Sequence, residues 1–399
     1  MNDQSVGVSV PTFSLAERDR RWELARSLLD REGLDALLVF GEHEDAGPAA
    51  FRPDTWFTND RPGGIVLFPR TGEPAALMWL EADQAEYYGD DRQWLTPHHR
   101  RVAQHRAAEV SALLNESGLA AAVVGVAGLE PYLPFLPEGV VPHQLWSAVR
   151  AALPAVDFRL VGDSLARAMM PQGDEQLAVV RHSASIGDAM AQAMLDAAGP
   201  GVMENEVYAA GMAAAFVRGT VVPAMHLWSG QEQLGIGLPP WAYRAQQPRV
   251  LREGDVVRAE VFCQVGLHET QHQVTIAIGD VHQDFERAAV IARESYDRGL
   301  QGLLPGRSFS DVVTAMRAPL EAAGATPVFP LIHSLNPIYA IGGGRLLTKG
   351  DLVLEPGMVF AFEPHCVLDR HRVSLGGTVI VGDDGAIELN PSTARLLRA

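Results

Sequence analysis

The chain has 399 residues, 47% hydrophobic and 20% charged, a globular composition with apolar material for about two to three domains. Its 32 Lys and Arg stand against 49 Asp and Glu, and the net charge of −17 repels phosphate backbones and anionic lipid heads, which argues against nucleic-acid and membrane partners. Cys263 and Cys366 are too few for a disulfide framework, the start lacks the basic and apolar regions of a signal peptide, and no stretch reaches the roughly 20 apolar residues of a membrane span; a cytoplasmic protein is expected.

Taken in order, Ser14 and Glu17 have the spacing of a capping box, which predicts a helix to about Glu32 with Gly33 as its stop. Buried-strand patterns follow at Ala36–Phe40, Gly64–Phe68 and Ala75–Trp79, then a helix near Ala103–Leu114 and another strand at Ala121–Val126. Strands alternating with helices predict an α/β domain with a mixed sheet over residues 1–160, ending in an irregular linker, Phe158–Gly173. Residues 161–399 open with helices at Asp174–Ala198 and Glu204–Arg218. An extended stretch, Val221–Gly237, leads to a hairpin at Leu251–Gly279. Helices near Phe285–Leu303 and Phe309–Ala322 come next, and strands dominate Met358–Leu368 and Val373–Val381. That order predicts an α+β domain closed by a curved antiparallel sheet.

The hairpin is the informative stretch. On its first strand Arg258, Glu260, Phe262 and Gln264 share one face by alternation, while Val257, Ala259, Val261 and Cys263 share an apolar one. A glutamate on the inward face needs a partner or a proton, so Glu260 is a candidate for chemistry. Gln271, eleven positions on, is expected within its reach.

With its GD turn, this hairpin resembles the metal-binding ribbon of the creatinase/prolidase/methionine-aminopeptidase family (M24, pita-bread), whose two aspartates have the same spacing. Met169–Glu175 resembles the entry to that family's catalytic domain, Gly201–Glu206 matches its G-x-t-E-x-E, and Leu354–Pro364 matches L-x-x-G-M-V-f-x-x-E-P almost letter for letter. The resemblance covers nearly the whole chain. It implies a pita-bread domain behind a creatinase-type α/β N-terminal domain, and a homodimer.

The resemblance places the family's metal-ligand positions (Asp, Asp, His, Glu, Glu) on Glu260, Gln271, His333, Glu363 and Gly376. Two hard cations need bridging carboxylates, and both bridging positions are neutral here, so a two-metal aminopeptidase is not expected and no metal or other cofactor is assigned. The family also has metal-free members such as creatinase, and His333 with Ser334 resembles their pattern. By the same resemblance Arg61 and Arg345 fall near positions that hold a substrate carboxylate, a role suited to a bidentate guanidinium. The histidine that such members carry before the GD turn is missing, since Pro239–Tyr243 stands there. The base is therefore sought among His226, His333, His365, His268 and His272. His226 is favoured modestly, His365 is aimed at the cavity, and His272 is out of phase with Gln271. Trp228, Trp241 and Tyr339 are candidate pocket walls.

The expectation is a metal-independent enzyme that hydrolyses a C–N bond of a small carboxylate-bearing metabolite, or performs a related elimination or isomerisation. His333, Glu363, Glu260 and Gln271 would be its catalytic groups; Arg61, His226, Trp241, Tyr339, Arg345 and His365 would line the substrate. Two alternatives stay open. One is a non-catalytic ligand- or peptide-binding module. The other is a residual Xaa-Pro-type peptidase with a single metal on Glu260, His333 and Glu363.

Overall fold

The computed structural model describes residues 10–399 apart from 44–46, 48–49, 79–93, 96–98, 104–105, 131–138, 223, 233–234, 236, 267, 326–327, 329 and 336–350. Its first helix, α1 (Leu15–Glu32), has the expected ends: Ser14 accepts from the Glu17 amide, and Gly33 closes it at φ +64°. The reciprocal half of the capping box is supplied from elsewhere. The Glu175 carboxylate accepts both the amide and the hydroxyl of Ser14, leaving Glu17 to pair with Arg20 and Arg21.

The N-terminal part is a six-stranded mixed sheet in the order β4-β3-β2-β1-β5-β6. Its strands are β1 (Ala36–Phe40), β2 (Ile65–Pro69), β3 (Ala75–Met78), β4 (Arg100–Val102), β5 (Val123–Ala127) and β6 (Asp157–Leu160). The strands β1 to β3 run antiparallel, while β5 and β6 lie parallel beside β1. On one face pack α1, α2 (Pro53–Thr58) and α5 (Gly162–Ala168); on the other pack α3 (Arg106–Glu116) and α4 (His143–Ala152). The expected linker is thus partly regular, because β6 and α5 occupy it. An edge strand with mostly exposed side chains shows no apolar alternation, so its sequence reads as irregular.

In the second part α6 (Asp174–Ala197) and α7 (Glu204–Phe216) cover a four-stranded sheet in the order β16-β9-β8-β7. That sheet contains β7 (His226–Gly230), β8 (Val256–Val265), β9 (His268–Ala277) and the short β16 (Leu397–Arg398), with the one-turn helix α8 (Pro240–Tyr243) between β7 and β8. Val257, Ala259, Val261 and Cys263 turn toward the helices, as alternation requires. Helices α9 (Gln283–Gly302) and α10 (Phe309–Ala322) follow. A second four-stranded sheet then forms from β10 (Ile332–Ser334), β11 (Val359–Phe362), β14 (Gly377–Val381) and β15 (Ala386–Glu388), and a two-stranded ribbon from β12 (His365–Leu368) and β13 (His371–Ser374). The antiparallel region is therefore in three hydrogen-bonded units rather than one continuous sheet. An isolated bridge, Gln273 with Gly376, joins the first unit to the second.

Candidate functional site

The polar face of the β8–β9 hairpin meets β10, β11 and the β12–β13 ribbon, and the buried titratable groups collect there. Register pairs His226 of β7 directly with Glu260 of β8, and their side chains meet at 3.0 Å (Nδ1 to Oε2). Glu260 lies opposite Gln273, not Gln271, which faces Phe262 two pairs further on. Gln271 accepts through Oε1 from His333 Nε2 at 2.9 Å, while its amide nitrogen donates to Glu269 at 3.0 Å. Gln273, two residues on along the same face, donates to Glu363 Oε2 at 2.9 Å. Glu363 also lies 3.3 Å from His333 and 3.5 Å from His365. His365 in turn is held at 2.6 Å by the Ser374 hydroxyl across the ribbon.

Burial sets the charge states. Burial by itself would raise the Glu260 carboxyl, but the hydrogen bond and charge of His226, with the charges of His333 and Arg258, hold it below the ordinary carboxylate value. Glu363 goes the other way: burial and the neighbouring Glu260 charge push it well above 4.5, against the pull of Arg372. Burial also lowers His333, although its bond to the Ser334 carbonyl opposes this. His365 is driven well below 6.5 by burial and by the Arg372, Arg258 and His333 charges. These directions favour ionisation of Glu260 over that of Glu363. His333 Nδ1 lies 3.0 Å from the Ser334 carbonyl and Nε2 lies 2.9 Å from Gln271 Oε1, so both ring nitrogens face acceptors, with the Glu363 carboxyl 3.3 Å from Nε2.

Of the expected site residues, Glu260, Gln271, His333, Glu363, His226 and His365 are brought together. Trp241 packs edge-on against Tyr208 of α7 rather than joining this cluster. Arg61 is exposed in the turn between α2 and β2. Tyr339 and Arg345 lie outside the described residues. His272 points away, as its phase predicts, its Nε2 3.1 Å from the Ala184 carbonyl of α6. His268 packs on Phe13. Two participants escape a sequence reading, Gln273 and Arg372. Alternation from Gln271 marks the first; the second lies on a four-residue strand too short to show a period.

A pair of metal ions does not fit the family positions. Gly376 has φ +128°, and a Cβ placed there would lie 2.0 Å from the Phe362 carbonyl oxygen, so no ligating side chain fits without moving a strand. Gln271 offers only an amide. A three-donor group does exist elsewhere among the described residues. His282, at the N-cap of α9, Asp284 and His371 of β13 hold ligand atoms within 4.8 Å of one another. The two imidazoles are stacked at 4.2 Å, and His371 Nδ1 is buried without a hydrogen-bond partner. Ribbon alternation turns His371 to the α9 side and His365, Arg372 and Ser374 to the Glu363 side.

Residues 178–387 match the model of metallopeptidase family M24. The chain belongs to that family, with an incomplete set of its site residues. Creatinase of Bacillus sp. is 24% identical over 383 residues, covering 92% of this chain and 87% of its own. Among solved structures, the Xaa-Pro dipeptidase from Bacillus anthracis superposes with a TM-score of 0.73 at 18% identity, covering 96% of this chain and 100% of its own. Dipeptidase PepE from Mycobacterium ulcerans gives 0.73 at 19% identity, covering 97% and 99%. At these identities the structural likeness shows the fold.

Two expectations are corrected by these findings. A metal-independent protein conflicts with the His282–Asp284–His371 cluster, which can coordinate one ion, and with membership of a metallopeptidase family. Its placement also explains why motif reading missed it: the cluster uses none of the family's five positions. The exclusion of aminopeptidase-type activity, argued from Gln271 and Gly376, runs against membership of a metallopeptidase family. No described helix is long and apolar enough to cross a membrane.

Proposed function

We propose that the chain is a hydrolase of the amide bond in a dipeptide-sized substrate, of aminopeptidase or dipeptidase type, carrying a single divalent ion. The observation that carries this reading is the buried meeting of two carboxyl–imidazole pairs, His226 with Glu260 and His333 with Glu363. Amide hydrolysis needs a base to take a proton from the attacking water and an acid to give one to the leaving nitrogen. Two carboxyls driven apart in proton affinity supply that division of labour. Glu260, ionised, holds His226 by Nδ1 and leaves Nε2 as the base. Glu363, protonated and facing His333, is the acid. Gln271 and Gln273 fix the orientation of His333 and Glu363.

His282, Asp284 and His371 are the residues that would hold the ion. A divalent ion there supplies a cross-link between the start of α9 and the ribbon whose other face carries His365 and Arg372. Relatives named as Xaa-Pro dipeptidase, prolidase and aminopeptidase support the substrate class.

The test is turnover of a panel of dipeptides, Xaa-Pro included, by the metal-analysed protein before and after chelation, and by Glu260→Gln. One equivalent of bound metal is expected, with activity lost on chelation and restored by readdition. Glu260→Gln should lower kcat by about 10²- to 10⁴-fold, the usual contribution of a positioned acid–base group. A protein that binds no metal and cleaves no member of the panel refutes the proposal.

A further inference from the structure

Two arginines lie buried beside this cluster with no hydrogen bond to a described residue. Arg258 of β8 is 3% exposed and Arg372 of β13 is 4% exposed. Alternation puts Arg258 on the face of Glu260, and Arg372 on the face of Ser374, whose hydroxyl holds His365. Neither guanidinium donates a hydrogen bond to a described residue or forms an ion pair with one. Arg258 Nε and the Nε and Nη2 of Arg372 are buried and unsatisfied. The two charges feel each other: burial and the nearby Arg372 push Arg258 down to about 9. A guanidinium carries five N–H donors in a rigid fork, and burying such a charge unpaired is among the costlier arrangements a fold can hold. Arginines so placed are prepared for an anion.

The geometry of the donors narrows which anion. Glu260 is paired with His226 and Glu363 accepts from Gln273, while the two guanidiniums keep unused N–H groups. A planar guanidinium fork matches the two oxygens of a carboxylate, and Glu260 suits an ammonium. We propose that Arg258 and Arg372 together form a carboxylate subsite that holds the free carboxylate of a small zwitterionic amide beside Glu363. This deepens the hydrolase reading and rests on it for the identity of the scissile bond. It transfers to Arg258 and Arg372 the role that sequence reading gave to Arg61 and Arg345.

Equilibrium binding tests the subsite without turnover. N-acetylglycine, its neutral amide N-acetylglycinamide and inorganic phosphate are titrated by calorimetry into the wild-type holoprotein and into Arg258→Gln and Arg372→Gln. Wild type should prefer N-acetylglycine to its amide by at least tenfold, and either substitution should remove that preference in a protein whose far-UV spectrum and melting are native. Equal affinity for the acid and the amide in wild type overturns the subsite, and so does a preference that survives both substitutions. Tighter binding of phosphate than of N-acetylglycine overturns its assignment to a carboxylate. Should the glutamine variants fail to fold, Arg372→Lys and the wild-type comparison still decide the matter. Turnover separates the two proposals: binding as expected with no dipeptide cleaved refutes only the hydrolase reading. Cleavage of dipeptides and dipeptide amides at equal rates refutes only the subsite.

Discussion

Placing even a methyl group at Gly376 should destabilise the protein severely, and the reason lies in the backbone. Gly376 has φ +128°, where an L side chain is strained by about 1–3 kcal/mol. Its Cβ would lie 2.0 Å from the Phe362 carbonyl oxygen, 2.9 Å from that carbonyl carbon and 3.3 Å from Tyr296 Cε2. Overpacking of a close-packed interior adds about 1–3 kcal/mol more. Relief by movement is blocked on both sides. Phe362 is paired to Ile332 and Gly377, and the Gly376 amide and carbonyl bond Thr393 and Gln273. The expected cost of Gly376→Ala is therefore about 4 kcal/mol, a large part of the roughly 5–15 kcal/mol that stabilises a typical protein.

Gly324→Ala is the control, since Gly324 also has positive φ, +66°, but nothing within 4 Å of its Cβ. It should cost only about 1–2 kcal/mol. Urea unfolding of the three proteins, followed by fluorescence and circular dichroism, measures both differences. A Gly376→Ala cost within 1 kcal/mol of the control would refute the collision. The reasoning that no carboxylate can be restored at this position would fall with it.

Two further outcomes follow. Asp54 is buried, accepts from the Gly64 amide at 2.8 Å and leaves Oδ1 unpartnered, and burial raises its carboxyl from 3.8 to about 7. The folded protein thus keeps a proton that the unfolded chain releases. The stabilising contribution is complete below about pH 3.8 and is lost as the pH climbs to about 7, a loss of about 4 kcal/mol at 1.36 kcal/mol per unit. Asp54→Asn stays neutral throughout, so its stability relative to wild type should rise by that amount across this window and then level off; a difference independent of pH would sink the assignment. At His282–Asp284–His371, zinc at one hundred times its dissociation constant should stabilise the wild type by about 2.7 kcal/mol, and His371→Ala should abolish the shift. An equal shift in wild type and variant, read by thermal denaturation, would place the ion elsewhere.

How far the sequence reaches depends on where its period is visible. Strand β1 and helix α10 were legible to the residue because Ala36–Phe40 is a short apolar run and Phe309–Ala322 follows a helical period. Stretches read as continuous strands, Met358–Leu368 and Val373–Val381, are in fact four short strands, broken at Glu363–Pro364 and Leu375–Gly376 and separated by a turn at Asp369–Arg370. Apolar residues on both sides of a turn hide it. In the site, motif spacing singled out Glu260, His333 and Glu363, which the fold brings together, but misjudged the register, because a hairpin's pairing depends on its loop and not on the separation of two residues. The Gln273–Glu363 bond and the Arg258–Arg372 pair join strands distant in the chain, and no local pattern announces them. The His282–Asp284–His371 cluster was hidden for the same reason: two of its members begin a helix, and the third lies almost ninety positions later.

The altered family positions form one electrostatic arrangement. Replacing acidic ligands by Gln271 and Gly376 removes negative charge from a buried site, and an ion pair there would no longer be balanced. The carboxyls that remain, Glu260 and Glu363, face each other's field in a buried pocket, where two like charges cannot both be held cheaply. The pocket resolves this by favouring a proton on Glu363 over one on Glu260, pairing Glu260 with His226, and placing Arg258 and Arg372 near both. Gln271 and Gln273 then suit their places because each has an amide that can donate to a carboxylate or bond an imidazole without adding charge. The consequence is asymmetric. The two carboxyls are driven apart in proton affinity, Glu260 downward and Glu363 upward. On the proposed amide-hydrolase reading that asymmetry divides acid from base, and the substitutions at 271 and 376 read as a rebalanced site rather than as decay.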